Sequence, residues 1–552
     1  MTNKEIAKRF QLLGSIMELH GENPFKIRSY QSAYRSLRKL DRPLAEMTPE
    51  EIGAIKGIGK AITGKIGELL DGGQMATLQR YLDQTPPGVV EMLGISGFGP
   101  KKIRTIWRDL GVETIGELLY ACNENRLVEL KGFGQKTQAD LRQKLEYYMR
   151  SKDRFRYAQL ESEAQYLLEK IRDRLRGARV ELTGAIRRRA NIVDRIEFLI
   201  GQTDLELLFD NDLLTHTGRT EAYHEARTAD EFPVRLYTCR PEEFGSKQFR
   251  YTATTVFLES FKQLTEGQNF RNIAEETEVF ERAGIPWLPV ELRDTERHLS
   301  YASTGKVPVL VEESQMRGVV HLHTDWSDGL NTIREMADAC RARGYEYMGL
   351  TDHSKSAFYA NGLKVDRLLQ QWAEVDALNA EYEDFRIFKG IESDILSDGS
   401  LDYEEEILQQ FDFIIASVHS NLKMDEAKAT TRLLRAIENP HTTILGHPTG
   451  RLLLSRPGYP IDHRRVIDAC AANGVAIELN ANPYRLDLDW EWIPYALERG
   501  VMIAIDPDAH SITGIDDIHF GTLSARKGGL DREHCLTALN LTDFARWIRA
   551  DV

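Results

Sequence analysis

Six histidines and three carboxylates in the C-terminal part of the chain have the side chains of a metal site: His321, His323, Asp328, His353, Glu392, His419, His447, Asp508 and His510. Imidazole and carboxylate donors without thiolate suit zinc, manganese or iron. Nine donors exceed what a single ion needs, so two or three divalent ions are implied. Such a cluster makes hydroxide from water near neutral pH and neutralises charge growing on phosphate oxygens, so hydrolysis of phosphate esters is the chemistry expected. Arg451, in the run HPTGR, is a candidate to fork onto a phosphate, with a surface ion pair as its alternative use.

These residues form a site only if the fold brings them together. From Gly318 onward apolar runs of strand type (VVHLHT, YMGLTDHS, FRIFKGIESDI, FDFIIASVHSN, TTILGHPTG, VAIELNANP, VMIAIDPDAHS) alternate with amphipathic helical runs such as TIREMADACRARG and HRRVIDACAANG. That period and length predict a (β/α) barrel over residues 311–552. Nearly every predicted strand ends in a ligand-type residue, and barrel sites are built at the C-terminal ends of their strands. His321 and His323 are spaced i, i+2, as are Asp508 and His510, which on a strand turns each pair to one side.

Residues 1–150 carry 23 Lys+Arg against 18 Asp+Glu, so this segment is positive although the whole chain has a formal charge of −14. The global sign therefore excludes no anionic partner, because screening makes the local charge decisive. Three copies of a glycine-apolar-glycine turn interrupt its helices: Gly57-Ile58-Gly59-Lys60, Gly97-Phe98-Gly99 before Lys101 and Lys102, and Gly132-Phe133-Gly134 before Lys136. Each opens a helix, whose first amides and dipole favour an anion, beside a lysine. This is the helix-hairpin-helix pattern of sequence-independent DNA binding. The expected division is 1–85 and 86–150, two all-α segments. Residues 151–310 are expected to form an α+β segment with strands in ARVELTG, RIEFLIG, LELLFD and FPVRLYT.

Five cysteines without CxxC spacing suit neither a zinc ribbon nor a disulfide framework and point to a reducing, cytoplasmic setting. No run of 18 apolar residues occurs, which excludes a membrane-spanning helix.

The motifs HLHTDWSDG, TDHS, GIESD, SVHSN, GHPTGR and DAH resemble those of the polymerase-and-histidinol-phosphatase (PHP) domain. The preceding segments are similar, in order, to bacterial family X DNA polymerases that carry such a domain. The resemblance implies a helical lyase-type domain, a nucleotidyltransferase-like palm, and a distorted PHP barrel with a three-metal site on the nine residues above. It also implies 3′-5′ exonuclease and abasic-site endonuclease activity on gapped, nicked or abasic DNA. Lys65 stands at the family's Schiff-base position, with Lys26 and Tyr30 at its supporting positions.

The palm motifs depart from the family. The serine of Gly-Ser-x-Arg-Arg-Gly is Ala185, the Asp-x-Asp pair falls on Arg195 and Glu197, and the third aspartate on Arg235. Nucleotidyl transfer needs two Mg²⁺ ions bridged by carboxylates, and arginines repel them. The reading that follows is a DNA-repair nuclease with a degenerate polymerase site. The alternatives are an active gap-filling polymerase and a histidinol-phosphatase-like enzyme of small phosphate esters.

Overall fold

A computed structural model describes the chain except at positions 41, 96, 124–126, 128–129, 131–132, 152–153, 210–212, 455–456 and 549–552. The chain divides into two compact units, residues 1–152 and 153–552. Among the described residues no helix is long and apolar enough to cross a membrane.

The first unit is all-helical. Its opening helix, Asn3–Leu19, starts from a capping box made by Thr2 and Glu5, and Pro24–Leu37 follows under an Asn23 cap. Two of the glycine turns are hairpins between helices. Gly57 and Gly97 take left-handed φ of 87° and 77°, and Gly59 and Gly99 cap the helices Lys60–Gly72 and Pro100–Leu110. The apolar residue between each pair, Ile58 or Phe98, is buried, and so is Phe133 of the third copy. Gly132 lies outside the described residues, and Gly134 immediately precedes the helix Gln135–Ser151.

In the second unit a short ladder pairs β1 (Phe155–Arg156) with β3 (Ile192–Val193). A mixed sheet joins β2 (Val180–Thr183), β4 (Ile196–Ile200), β5 (Thr215–Arg219), β6 (Tyr223–Arg227) and β7 (Pro233–Thr238) in the order β2-β4-β7-β6-β5. The run LELLFD, expected as a strand, instead holds a 3₁₀ turn at Glu206–Leu208. Sheet pairing is taken over by the hairpin β5–β6, whose polar outer strand is mostly exposed and so has no apolar alternation to read.

The barrel strands are β8 (Gly318–Leu322), β9 (Tyr347–Leu350), β10 (Arg386–Asp394), β11 (Phe413–Ser417), β12 (Ile444–Leu445), β13 (Ala476–Asn480) and β14 (Ile503–Asp506). All seven are parallel and each pairs with the next in sequence. A bridge from Leu322 to Ala509 brings the last strand back toward the first, giving a nearly closed barrel. Covered by helices outside and side chains inside, these strands are continuous apolar runs.

The two halves of this unit are fastened across the boundary expected at 310. Asp294 receives Arg188 at 2.8 Å and also Lys527, a fully buried ammonium that donates to the Arg188 carbonyl at 3.1 Å. Removing one member of such a buried pair costs about 3–5 kcal/mol, because its partner is left charged and dry. At the other end of the helix Ile518–Lys527, His519 is held between Glu161 (3.0 Å) and Glu313 (2.9 Å), which lift its pKa to about 9.

A histidine raised in the folded state stabilises fully below its unfolded value of about 6.5 and loses that contribution as pH rises through the folded value. His519→Gln is therefore expected to lower the urea midpoint most at pH 6 and hardly at all above pH 9.5. Equal destabilisation at both pH values would show that the bridge carries no charge.

Candidate metal centre

Glu392, fully buried on β10, is the hub of the site. Five imidazoles surround its carboxylate: His353 Nδ1 at 2.8 Å, His419 Nε2 and His447 Nε2 at 3.0 Å, His321 Nε2 at 3.3 Å and His323 Nε2 at 3.6 Å. Asp508 approaches His323 Nε2 to 3.2 Å and His321 Nε2 to 3.5 Å. Asp328 faces His510 at 3.3 Å and His353 at 3.6 Å. All nine residues expected as ligands thus lie at one barrel mouth, each at or just past the end of its strand.

The two i, i+2 pairs converge by a different route from simple strand alternation. The β8–β9 register shifts between Val319 and Leu322, His321 takes a φ of 62°, and His323 lies past the strand end. Asp508, also past its strand, has a φ of 51°. Non-glycine residues in the left-handed region cost of order 1–3 kcal/mol each, and such strain is concentrated at functional sites.

Sequence reading missed the layer beneath. Glu478 accepts from His321 Nδ1 at 2.7 Å and Asp394 from His419 Nδ1 at 2.6 Å, so each ring's Nε2 is directed at Glu392. Asp506, fully buried, lies 3.6 Å from His321 Nδ1. Asp352 takes the backbone amide and hydroxyl of Thr324 and the amide of Gln371, and this fixes the loop that carries Asp328. A charge inside the apolar runs VAIEL and VMIAID was the available signal for Glu478 and Asp506.

Electrostatics agree with a cation site. His323 is wholly buried with neither ring nitrogen hydrogen-bonded, and burial beside His510 and His353 depresses its pKa to about 3. Burial opposes charge on His419 and His510, yet Glu392 with Asp394 lifts the former to about 10, and Asp328 with Asp508 lifts the latter to about 9. Burial would raise Glu392, but His419, His321 and His353 hold it well below the carboxylate range. A dry set of open lone pairs facing carboxylates that draw in positive charge fits divalent ions. His321, His323, His353, His419, His447, His510, Asp328, Glu392 and Asp508 would hold them. Ions bound there supply hydroxide and neutralise phosphate charge. Asp328 and His510, each more than a third exposed, form the open side of the cluster.

Arg451 does not face that opening. Its guanidinium is committed to Asp489 and to the carbonyls of Arg485 and Leu486, so it braces a loop. The guanidinium at the mouth is Arg485, 3.5 Å from Asp508 and unflagged by its sequence context.

The palm positions also come together. Glu197 on β4 stands in register with Arg235 on β7. Arg235 binds Glu225 at 2.9 Å over the Tyr223 ring, and Arg195 reaches the same Glu225 at 3.7 Å. Glu197 is half-buried, accepts from Tyr237 at 3.2 Å, and is raised in pKa by desolvation and by Asp194. Two cations share one carboxylate where nucleotidyl transfer needs carboxylates around cations. In the first unit Lys60, Lys101, Lys136 and Lys26 are exposed, Lys65 and Lys102 half-buried, and Tyr30 is buried against Phe10.

Over its whole length the chain is 34% identical to the DNA polymerase/3′-5′ exonuclease PolX of Bacillus subtilis, with 100% of both chains covered. The chain belongs to the PolX family. Family models match residues 1–75 as a helix-hairpin-helix domain, 89–146 as a SAM-like helix-hairpin-helix tandem and 320–482 as a PHP domain. Its PHP part alone is similar to a protein named probable phosphatase from Caldanaerobacter subterraneus, 31% identical over 34% of this chain and 74% of that protein. A Thermoanaerobacter protein of the same name is 32% identical over 34% and 77%. PolX-family membership accounts for the order of the segments: helical DNA-binding modules, palm, then PHP barrel.

Replacing Asp508 or His353 by Ala is expected to lower bound metal, measured by elemental analysis after manganese loading, while circular dichroism stays that of the wild type. Metal must displace protons from His419 and His510, so loading of the wild type should fall as pH drops from 8 to 5. Unaltered metal content in both variants would remove these residues from the site.

Proposed function

We propose that this PolX-family chain is a DNA-repair nuclease that cuts phosphodiesters with 3′-5′ polarity, and at abasic sites, in its PHP barrel. Two or three zinc, manganese or iron ions on the nine residues around Glu392 form the reacting centre. The observation that carries this reading is the single buried carboxylate shared by five imidazoles, in a chain similar throughout to a polymerase/exonuclease. Arg485 is the guanidinium placed to meet a phosphate beside Asp508. The chain works in the cytoplasm on gapped, nicked or abasic duplexes, through four segments: 1–85, 86–150, 151–310 and 311–552.

DNA is held by the hairpins. Gly59, Gly99 and Gly134 have open space where a side chain would stand, so packing inside the protein does not require glycine there. Close approach of a phosphate backbone does. Lys60, Lys101, Lys102 and Lys136 flank those positions, and Lys65 is the amine for abasic-sugar removal, supported by Lys26 and Tyr30. The palm, with Arg195 and Arg235 facing Glu225, no longer transfers nucleotides. A small-molecule phosphatase reading has support in the phosphatases that match the barrel, and the helical modules are what it leaves without a use.

The test is incubation with Mn²⁺ and a labelled gapped duplex, with and without nucleotides. Shortened primer strands in both conditions are expected, with no lengthening. His353→Ala and Asp508→Ala should lose several orders of magnitude of cleavage, since nucleophile and charge neutralisation are lost together, while retaining DNA binding. Template-directed lengthening would overturn the reading of the palm, and full cleavage by both variants the reading of the barrel.

DNA affinity should not depend on sequence and should fall steeply between 50 and 200 mM salt, as counterion release requires for phosphate contacts. A salt-independent affinity, measured by fluorescence anisotropy, would show that the hairpins were misread.

A further inference from the structure

Three large apolar side chains stand exposed on loops around this metal centre. Leu330 is 79% exposed, Phe358 84% and Tyr484 51%. Each is tied to the mouth. The Leu330 amide donates to the His510 carbonyl at 2.9 Å, on the open side of the cluster. Phe358 lies on a 3₁₀ turn after His353, and Asn361 at the end of that turn donates to the Ser327 carbonyl beside Asp328. Tyr484 is next to Arg485, and its loop is fixed by the bond from the Leu453 amide to the Tyr484 carbonyl and by Asn482, which caps the Tyr484 amide.

Tyr484 has a second feature. The guanidinium of Arg156, from β1, lies 3.5 Å from its ring centroid, and among the described residues no carboxylate pairs with that guanidinium. One face of the ring is thus covered by a planar cation, while half of the residue's surface remains open. A fixed aromatic ring backed by a guanidinium is a platform of the kind on which unstacked nucleobases rest, and every base has a face to offer it. Inside a duplex the base faces are already occupied, so only a single-stranded or frayed end can use such a platform.

We propose that Phe358 and Tyr484, with Leu330 and Arg156, form a nucleobase-stacking rim that seats the unpaired end of a DNA strand across the metal centre. The inference rests on the nuclease reading above and names the side chains outside the metal cluster that would seat the strand end. The rim has two aromatic rings tied to the mouth by separate loops, Phe358 through Asn361 to Ser327 beside Asp328 and Tyr484 through Arg485 to Asp508. A base on either side of the scissile phosphate would hold that phosphate over the ions and beside Arg485. Because Arg156 belongs to the palm segment, the palm contributes to the nuclease's substrate site even without transfer chemistry of its own.

The test compares the manganese-loaded full chain on a single-stranded oligonucleotide and on methyl p-nitrophenyl phosphate, a diester with no base. Tyr484→Ala and Phe358→Ala should each lower the ratio of the two kcat/KM values about tenfold, through KM for the oligonucleotide. Tyr484→Phe, which keeps the ring, should restore the ratio. In metal-free buffer a 3′-terminal 2-aminopurine should be quenched on binding to the wild type and less so by Tyr484→Ala. If both alanine variants keep the wild-type ratio, or lose both activities in proportion, the rim has no role in base recognition. A wild type that cleaves the small diester but no oligonucleotide removes the nuclease reading and this rim together.

Discussion

The burial of the Glu392 carboxylate among five imidazoles is the constraint around which residues 318–510 are arranged. A carboxylate in a dry interior needs positive charge close by, and neutral rings cannot supply it. Protons can, as the upward shifts of His419 and His321 beside it indicate, and so can cations in the groups these donors form. The strained backbone at His321 and Asp508 follows from the same demand: donors from opposite ends of the strand order must reach one point, and the left-handed residues bend them there. The underlying carboxylates Glu478 and Asp394 then leave His321 and His419 only one nitrogen to offer.

The palm's retention has a physical reason apart from polymerase chemistry. Arg187 and Arg188 of its signature motif are both in use as fasteners, Arg187 with Glu276 at 2.7 Å and Arg188 with Asp294 at 2.8 Å. Glu276 also holds the fully buried Arg293, and Asp294 holds Lys527 from the barrel's helix Ile518–Lys527. These are buried charges whose partners would be stranded by loss of either side, so substitutions there are penalised in folding. The positions of the transfer carboxylates carry no such load. Arg195 and Arg235 lie around Glu225, and Arg195 also pairs with Asp194 at 3.0 Å, so a reversal of charge there is absorbed by partly exposed carboxylates.

Much of this was legible in the sequence, and the failures share a cause. Parallel strands buried on both faces announce themselves as apolar runs, and most of those runs end in a His, Asp or Glu, so the fold and the cluster at its mouth could be read together. What escaped reading was polar or in the wrong disguise. The hairpin β5–β6 is an edge with exposed polar residues, while Leu205, Leu208 and Phe209 are apolar because they pack on the core under the helix Tyr157–Arg174, though the segment coils as a 3₁₀ turn. Glu478 and Asp506 sit inside strand runs whose apolar neighbours hide them. Arg451 and Arg485 differ in role only through which carbonyls and carboxylates the folded loop offers, which no local pattern encodes.

The distribution of charge fits a division of labour between the two units. Residues 1–150 are net +5 and the remainder net −19. A negative second unit would repel DNA everywhere except where cations are displayed, and in it the metal mouth is the place that gathers them. On the proposed reading the first unit, whose hairpin glycines leave room for a phosphate backbone, would hold duplex, and a flexible end would reach the barrel. The exposed rings on the rim suit that end and not the duplex, because an aromatic face gains nothing from bases already stacked on one another. Discrimination between paired and unpaired DNA then needs no base-specific hydrogen bonds: repulsion from the body of the unit, attraction at one point, and stacking on either side of it are sufficient.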